Sequence, residues 1–135
     1  MKVPINRLRG LSADVKSGLA ARGIRDSDQL LEAGRTAKGR RDLARATGAD
    51  ERDILELVNR ADLARIRGVA GSYSDLLENS GVDTVRELAR RQPESLHERF
   101  VQVNGERHLV NRVPPVPTVR HWVEQAREMP ERLAY

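Results

Sequence analysis

The sequence contains no cysteine. That excludes a disulfide scaffold, a thiolate-ligated zinc or iron–sulfur site and a cysteine nucleophile. It leaves the redox compartment open, because a chain without thiols survives in either. Aromatic residues are nearly as scarce: Tyr73, Phe100, Trp122 and Tyr135 are the four rings in 135 residues. Four rings make no stacking platform for unpaired bases. No apolar run approaches the ~18 residues of a membrane-spanning helix. The opening MKVPINRLRG lacks the apolar core of a signal peptide. A cytoplasmic protein without membrane association is expected.

Catalytic constellations are missing too. His97, His108 and His121 are too widely separated for any pair to have the i, i+4 spacing of a helical zinc site. There is no Gly-x-Ser-x-Gly elbow. Carboxylates sit beside arginines rather than in the cluster that two-metal chemistry needs. The stretch from Gly34 to Arg41 loosely has the form of a phosphate loop, yet it lacks the closing Lys-Ser/Thr and any preceding strand. No enzyme, metal, cofactor or small-molecule substrate is implied.

What is present is positive charge, carried mostly by arginine. Of 24 basic residues, 21 are Arg, and Lys2, Lys16 and Lys38 are the three lysines. Codon usage in a GC-rich genome explains this preference, and so does phosphate contact, because the guanidinium fork matches phosphate geometry. The net charge of +4 is unevenly spread. Residues 1–68 hold 15 basic and 10 acidic groups, a net of +5, whereas residues 69–135 hold 9 and 10, a net of −1. The densest basic stretch contains Arg35, Lys38, Arg40, Arg41 and Arg45, opposed only by Asp42.

Apolar residues recur at i, i+3, i+4 and i+7, as in Ile54, Leu57, Val58 and Ala61. No window alternates as a strand would. The pattern predicts an all-α protein, a compact array of short helices near 4–9, 13–22, 27–33, 37–46, 51–66, 72–79, 84–91, 94–103, 106–111 and 118–129. Gly48 reads as the residue just past one helix end, and Asp50 as the cap of the next. Val113–Pro117 should be a stiff extended connector, with Thr118 opening the last helix and Pro130 closing it. Only the last five residues are expected to be disordered. Predicted core positions are Leu8, Leu11, Leu19, Ile24, Leu30, Leu43, Ile54, Val58, Ile66, Leu77, Val82, Leu88, Phe100, Val119 and Trp122.

The chain also repeats itself. Leu8-Arg9-Gly10-Leu11 matches Ile66-Arg67-Gly68-Val69; Leu19 matches Leu77, Gly23-Ile24 matches Gly81-Val82, and Leu30 matches Leu88. Every one of these pairs has the same offset, with no gap. Further on, Ile54, Val58 and Ala61 match Val119, Val123 and Ala126 at a second, slightly longer offset that is again constant. The pattern predicts one domain made of two repeats, about 1–65 and 66–135, with hairpins near 4–23 and 60–81.

The repeated unit, apolar-x-Gly-apolar followed by a helix and then Gly-apolar, resembles the helix-hairpin-helix motif of DNA-repair and replication proteins. Two such motifs in tandem resemble an uncharacterised bacterial family of paired helix-hairpin-helix repeats, classed as a domain of unknown function. Glycine at positions 10 and 68 suits a turn that requires φ > 0. The helix after each turn begins with N–H groups aimed outward, which with the helix dipole attract an anion. The resemblance implies a DNA phosphate as that anion, held without reading sequence.

Two departures qualify this. The motif's second glycine is Ser12 in the first unit and Ala70 in the second. Ser12 can cap the next helix and donate to a phosphate; the Ala70 methyl obstructs approach unless Gly71 takes over with the turn shifted by one. The motif's later alanine is Lys16 and Ser74, and Asp14 and Asp75 bring opposing charge. The candidate DNA contacts are therefore Arg9, Gly10, Ser12 and Lys16 in the first unit. In the second they are Arg67, Gly68, Ala70, Gly71 and Ser72. Lys38, Arg41 and Arg45 support them, spaced i, i+3, i+7 on one face. The first unit should carry most of the binding. The alternative is a protein-interaction or scaffolding module with an unidentified protein partner, in which both hairpins only connect helices.

Overall fold

A computed structural model of the chain describes residues 2–134. Among them a 3-10 turn, Ile5–Arg7, precedes eight helices: α1 Ala13–Ala21, α2 Ser27–Ala33, α3 Ala37–Thr47, α4 Glu51–Leu63, α5 Ser72–Asn79, α6 Val85–Ala89, α7 Pro93–Arg107 and α8 Val116–Glu128. The all-α expectation holds. Among the described residues the only β pairing is an isolated bridge between Pro4 and Asp26.

Side-chain caps set many of the helix starts. Ser12, Asp26, Thr36 and Thr84 each accept from the N–H three residues on, in α1, α2, α3 and α6. These bonds satisfy donors that a first turn otherwise leaves open. Gly48 ends α3 with φ 75°, as its position suggested. Asp50 stands at the start of α4 without a side-chain bond.

Three expectations are corrected. The segment 4–9 forms only the short 3-10 turn. The segment 106–111 is not a helix: α7 runs on to Arg107, and His108 breaks it with φ 47°. Asn104 then holds the loop, accepting from the Val110 N–H at 2.9 Å and donating to the Val110 carbonyl at 3.0 Å. Finally, α8 begins at Val116, not Thr118, and takes Pro117 into its first turn. A first-turn proline loses nothing, because its missing N–H would have had no partner in the helix.

The described residues form two apolar cores. One gathers Leu8, Leu19, Ile24, Leu30, Leu43, Ile54 and Val58; the other gathers Ile66, Leu77, Val82, Leu88, Phe100, Val119 and Trp122. Of the predicted core positions only Leu11 falls short, half-buried against the first cluster. The second core is organised by Trp122, whose ring meets Tyr73 and Phe100 edge-on at centroid separations of 5.4 and 6.4 Å.

Most of the helix pairings recur in each half. In the first, α1 packs on α3, and α4 packs on both α2 and α3; in the second, α5 packs on α7, and α8 packs on both α6 and α7. Helices α4 and α8 have the same length, and the offset that relates Ile54 to Val119 relates their first residues and their last. Gly10 and Gly68 have φ of 81° and 89°, and Gly23 and Gly81 have φ of 77° and 89°. The N–H of Ile24 donates to the Leu19 carbonyl at 3.0 Å, as Val82 does to Leu77 at 2.9 Å.

The C-terminal residues that composition suggested were disordered are bonded in place as far as Ala134; Tyr135 lies outside the described residues. Arg65 donates to the Pro130 carbonyl at 2.6 Å, Arg40 to the Ala134 carbonyl at 2.9 Å, and the Ala134 N–H to the Arg35 carbonyl at 2.9 Å. Glu131 pairs with Arg86 on α6, and Arg132 with Glu32 on α2. The segment therefore straps one half to the other.

Candidate nucleic-acid interface

The first turn runs from Leu8 to Ser12. Gly10 adopts φ 81°, and a Cβ there would meet no atom within 4 Å, so the requirement for glycine is one of backbone conformation. The second turn leaves α4 through a succession of tight backbone bonds, from Ala64, Arg65 and Ile66 back to Arg60, Asp62 and Leu63. It then passes through Gly68 and the fully buried Val69. Gly71 follows at φ 77° and stands at the start of α5. A left-handed glycine therefore does sit one position after Ala70, where the motif's second glycine was missing.

The two turns face one groove. Asn6, Arg7, Leu8, Arg9, Gly10 and Leu11 line one side of it, Ala70 and Gly71 the other. Four of the expected contact residues, Arg9, Gly10, Ala70 and Gly71, are thus brought together from opposite halves of the chain. Ser12 lies in the adjoining depression with Val15 and Arg60. Its hydroxyl accepts from the Val15 N–H at 3.2 Å and keeps its own proton for donation.

Other expected contacts lie elsewhere. Gly68, Ser72, Lys16 and Arg67 do not line the groove. Lys16 and Arg67 are exposed, and the Arg67 N–H donates to Gln125 Oε1 at 3.4 Å. Lys38, Arg41 and Arg45 are exposed on α3 and contribute no groove wall. Lys38 is lightly tied to Asp42 at 3.9 Å.

Arg40 departs from the basic stretch altogether. It is 6% exposed, and its guanidinium donates to the carbonyls of Gly34 and Arg35 at the end of α2. Arg127 does the same at the end of α6, for the carbonyls of Ala89 and Arg91. Part of the arginine surplus is therefore structural. A fork with several donors closes helix C-termini that lysine would close less well.

Sequence reasoning missed Arg60. It reaches from α4 to donate to Ser74 Oγ at 2.8 Å and Asp75 Oδ1 at 2.6 Å, and it pairs with Glu78 at 2.5 Å. Asp75 Oδ2 accepts in turn from Arg9 Nε at 3.0 Å. Burial pushes the Glu78 carboxyl above its ordinary value, against the opposing pull of Arg60. No spacing rule could have linked Arg9, Arg60 and Asp75, because the turns alone bring them together.

A family model described as Domain of unknown function (DUF4332) matches residues 9–129. The chain belongs to that family. The DUF4332 match begins at Arg9, takes in both glycine turns and all eight helices, and ends one residue after α8. The C-terminal strap from Pro130 lies beyond it. No curated protein and no solved structure matches the chain. Among the described residues no helix is long and apolar enough to cross a membrane. Nor does any group of three His, Asp or Glu residues there stand ready to hold a metal ion.

Proposed function

We propose that residues 1–65 and 66–135 are two copies of one helix-hairpin-helix unit, and that the chain binds double-stranded DNA without sequence preference or catalysis. The proposal extends to a bacterial, cytoplasmic protein. The observation that carries it is the groove whose opposite walls hold Gly10 and Gly71, both at positive φ, with Arg7 and Arg9 beside them. Glycine lets a phosphate approach the main chain closely, and the following helix N-termini favour negative charge. The exposed cations of α3 extend the attraction. Contacts of this kind hold the backbone and leave base edges unread.

The test is an anisotropy titration of a labelled duplex of about 25 bp. Affinity should fall with salt by about 0.9 log units per log unit for each phosphate neutralised, and be equal for unrelated sequences. Replacing Lys38 and Arg41 together by glutamate should weaken binding at least tenfold at about 50 mM salt and flatten the slope. No binding at low salt with tens of micromolar protein would exclude the proposal. One observation favours a protein-interaction module instead: Asp75 already supplies α5 with an anion in its first turn. A single stoichiometric protein recovered on the intact chain, with no duplex binding, would support that alternative.

A further inference from the structure

We propose that Asp75 sets the affinity for duplex DNA by competing with phosphate for Arg9. The inference rests on the DNA-binding proposal. Arg9 lines the groove next to Gly10, and its side chain is 53% exposed. Its Nε is nevertheless engaged, donating to Asp75 Oδ2 at 3.0 Å across the two halves of the chain. The acceptor is held firmly. Asp75 is 20% exposed, and its other oxygen takes a bond from Arg60 Nη1 at 2.6 Å. Arg60 is itself fixed by Ser74 and Glu78. The carboxylate cannot swing aside with the exposed arginine, so any anion entering the groove meets Arg9 already paired.

Asp75 also lies in the first turn of α5, where the helix dipole favours negative charge. One internal carboxylate therefore occupies an arginine of the first turn and the N-terminal dipole of the helix that follows the second. A phosphodiester wins Arg9 by offering the guanidinium fork two free oxygens, where Asp75 has only Oδ2 to spare, and by bringing neighbouring phosphates to other cations. An isolated small anion lacks the second advantage. The contact tunes the site down and selects for a polyanion.

The experiment compares wild type, Asp75→Asn, Arg9→Gln and the double variant in duplex titrations at low salt, each checked by thermal melting. Glu98→Gln, on the exposed face of α7, is the control for lost negative charge. Asp75→Asn should tighten binding about fivefold, the scale of a partly exposed ion pair, and steepen the salt slope by about one unit. Most of the gain should vanish when Arg9 is glutamine. Asp75→Ser, a good first-turn residue, repeats the test if the asparagine variant melts early. An equal gain in the Arg9→Gln background or in the Glu98→Gln control would overturn it. So would unchanged affinity of the Asp75 variants alongside salt-dependent binding by wild type, a result that leaves the DNA proposal standing. Absence of binding by every variant would overturn both.

Discussion

Replacing Asp62 by alanine is expected to cost about 3–5 kcal/mol of folding stability, the usual penalty for removing one partner of a buried ion pair. Asp62 is 3% exposed at the end of α4. Its Oδ1 accepts from Arg65 at 2.8 Å, and its Oδ2 accepts from the Val85 N–H at 2.8 Å, at the start of α6. Arg65, 8% exposed, goes on to the Pro130 carbonyl. One carboxylate thus joins α4, α6 and the C-terminal strap, and its loss removes the 2.8 Å bond to a buried guanidinium and the acceptor of the Val85 N–H. On a chain of 135 residues the melting midpoint should fall by roughly 10–20 °C. Asp62→Asn keeps one acceptor and should lose less. A denaturant melt showing under about 1 kcal/mol for the alanine variant would refute this role. The first half meets the same need with main chain. Ser27, the position that the repeat offset aligns with Val85, donates its N–H to the Val3 carbonyl at 2.8 Å and accepts from the Val3 N–H through its hydroxyl at 2.9 Å.

Valine at position 68 should cost about 2–3 kcal/mol, more than valine at position 10, at about 1–2 kcal/mol. Both glycines have strongly positive φ, at 89° and 81°, where a β-branched side chain is strained. The difference comes from the surroundings. A Cβ on Gly68 would lie 3.8 Å from Trp122 Nε1, so the added methyls press on a buried indole, whereas Gly10 has open space. Asparagine tolerates the left-handed region, so Gly68→Asn should lose least. Thermal melts ranked Val above Asn in damage at position 68, with position 10 milder, are the expected result. Equal midpoints for all variants would mean that neither turn depends on its glycine.

Most helices and most buried positions were legible because each rests on local signals, whereas the division into two cores was not. Periodic apolar residues, capping hydroxyls and glycines mark α1 to α5, and the constant offsets pick out equivalent buried positions such as Leu30 and Leu88. The errors arose where a local rule met a tertiary condition. Pro117 looked like a breaker but stands in a first turn, where it does no harm. Residues 106–111 carried a helical pattern that the Asn104 bonds to Val110 override. The candidate groove was legible in its glycines and hidden in its ion pairs. Arg9 and Gly71 could be named from the motif, whereas the Arg9–Asp75–Arg60 chain depends on how the two turns meet. Arg40 shows the opposite failure: a cation counted with the surface is spent on the carbonyls after α2.

Amide NMR of the labelled protein decides whether the two glycine turns together hold a DNA backbone. On addition of a short duplex at low salt, the N–H resonances of residues 10–14 and 70–73 should shift together and saturate, while those of mid-α7 around Glu98 stay in place. Saturable shifts confined to residues outside both turns, or no shifts at all, would contradict it.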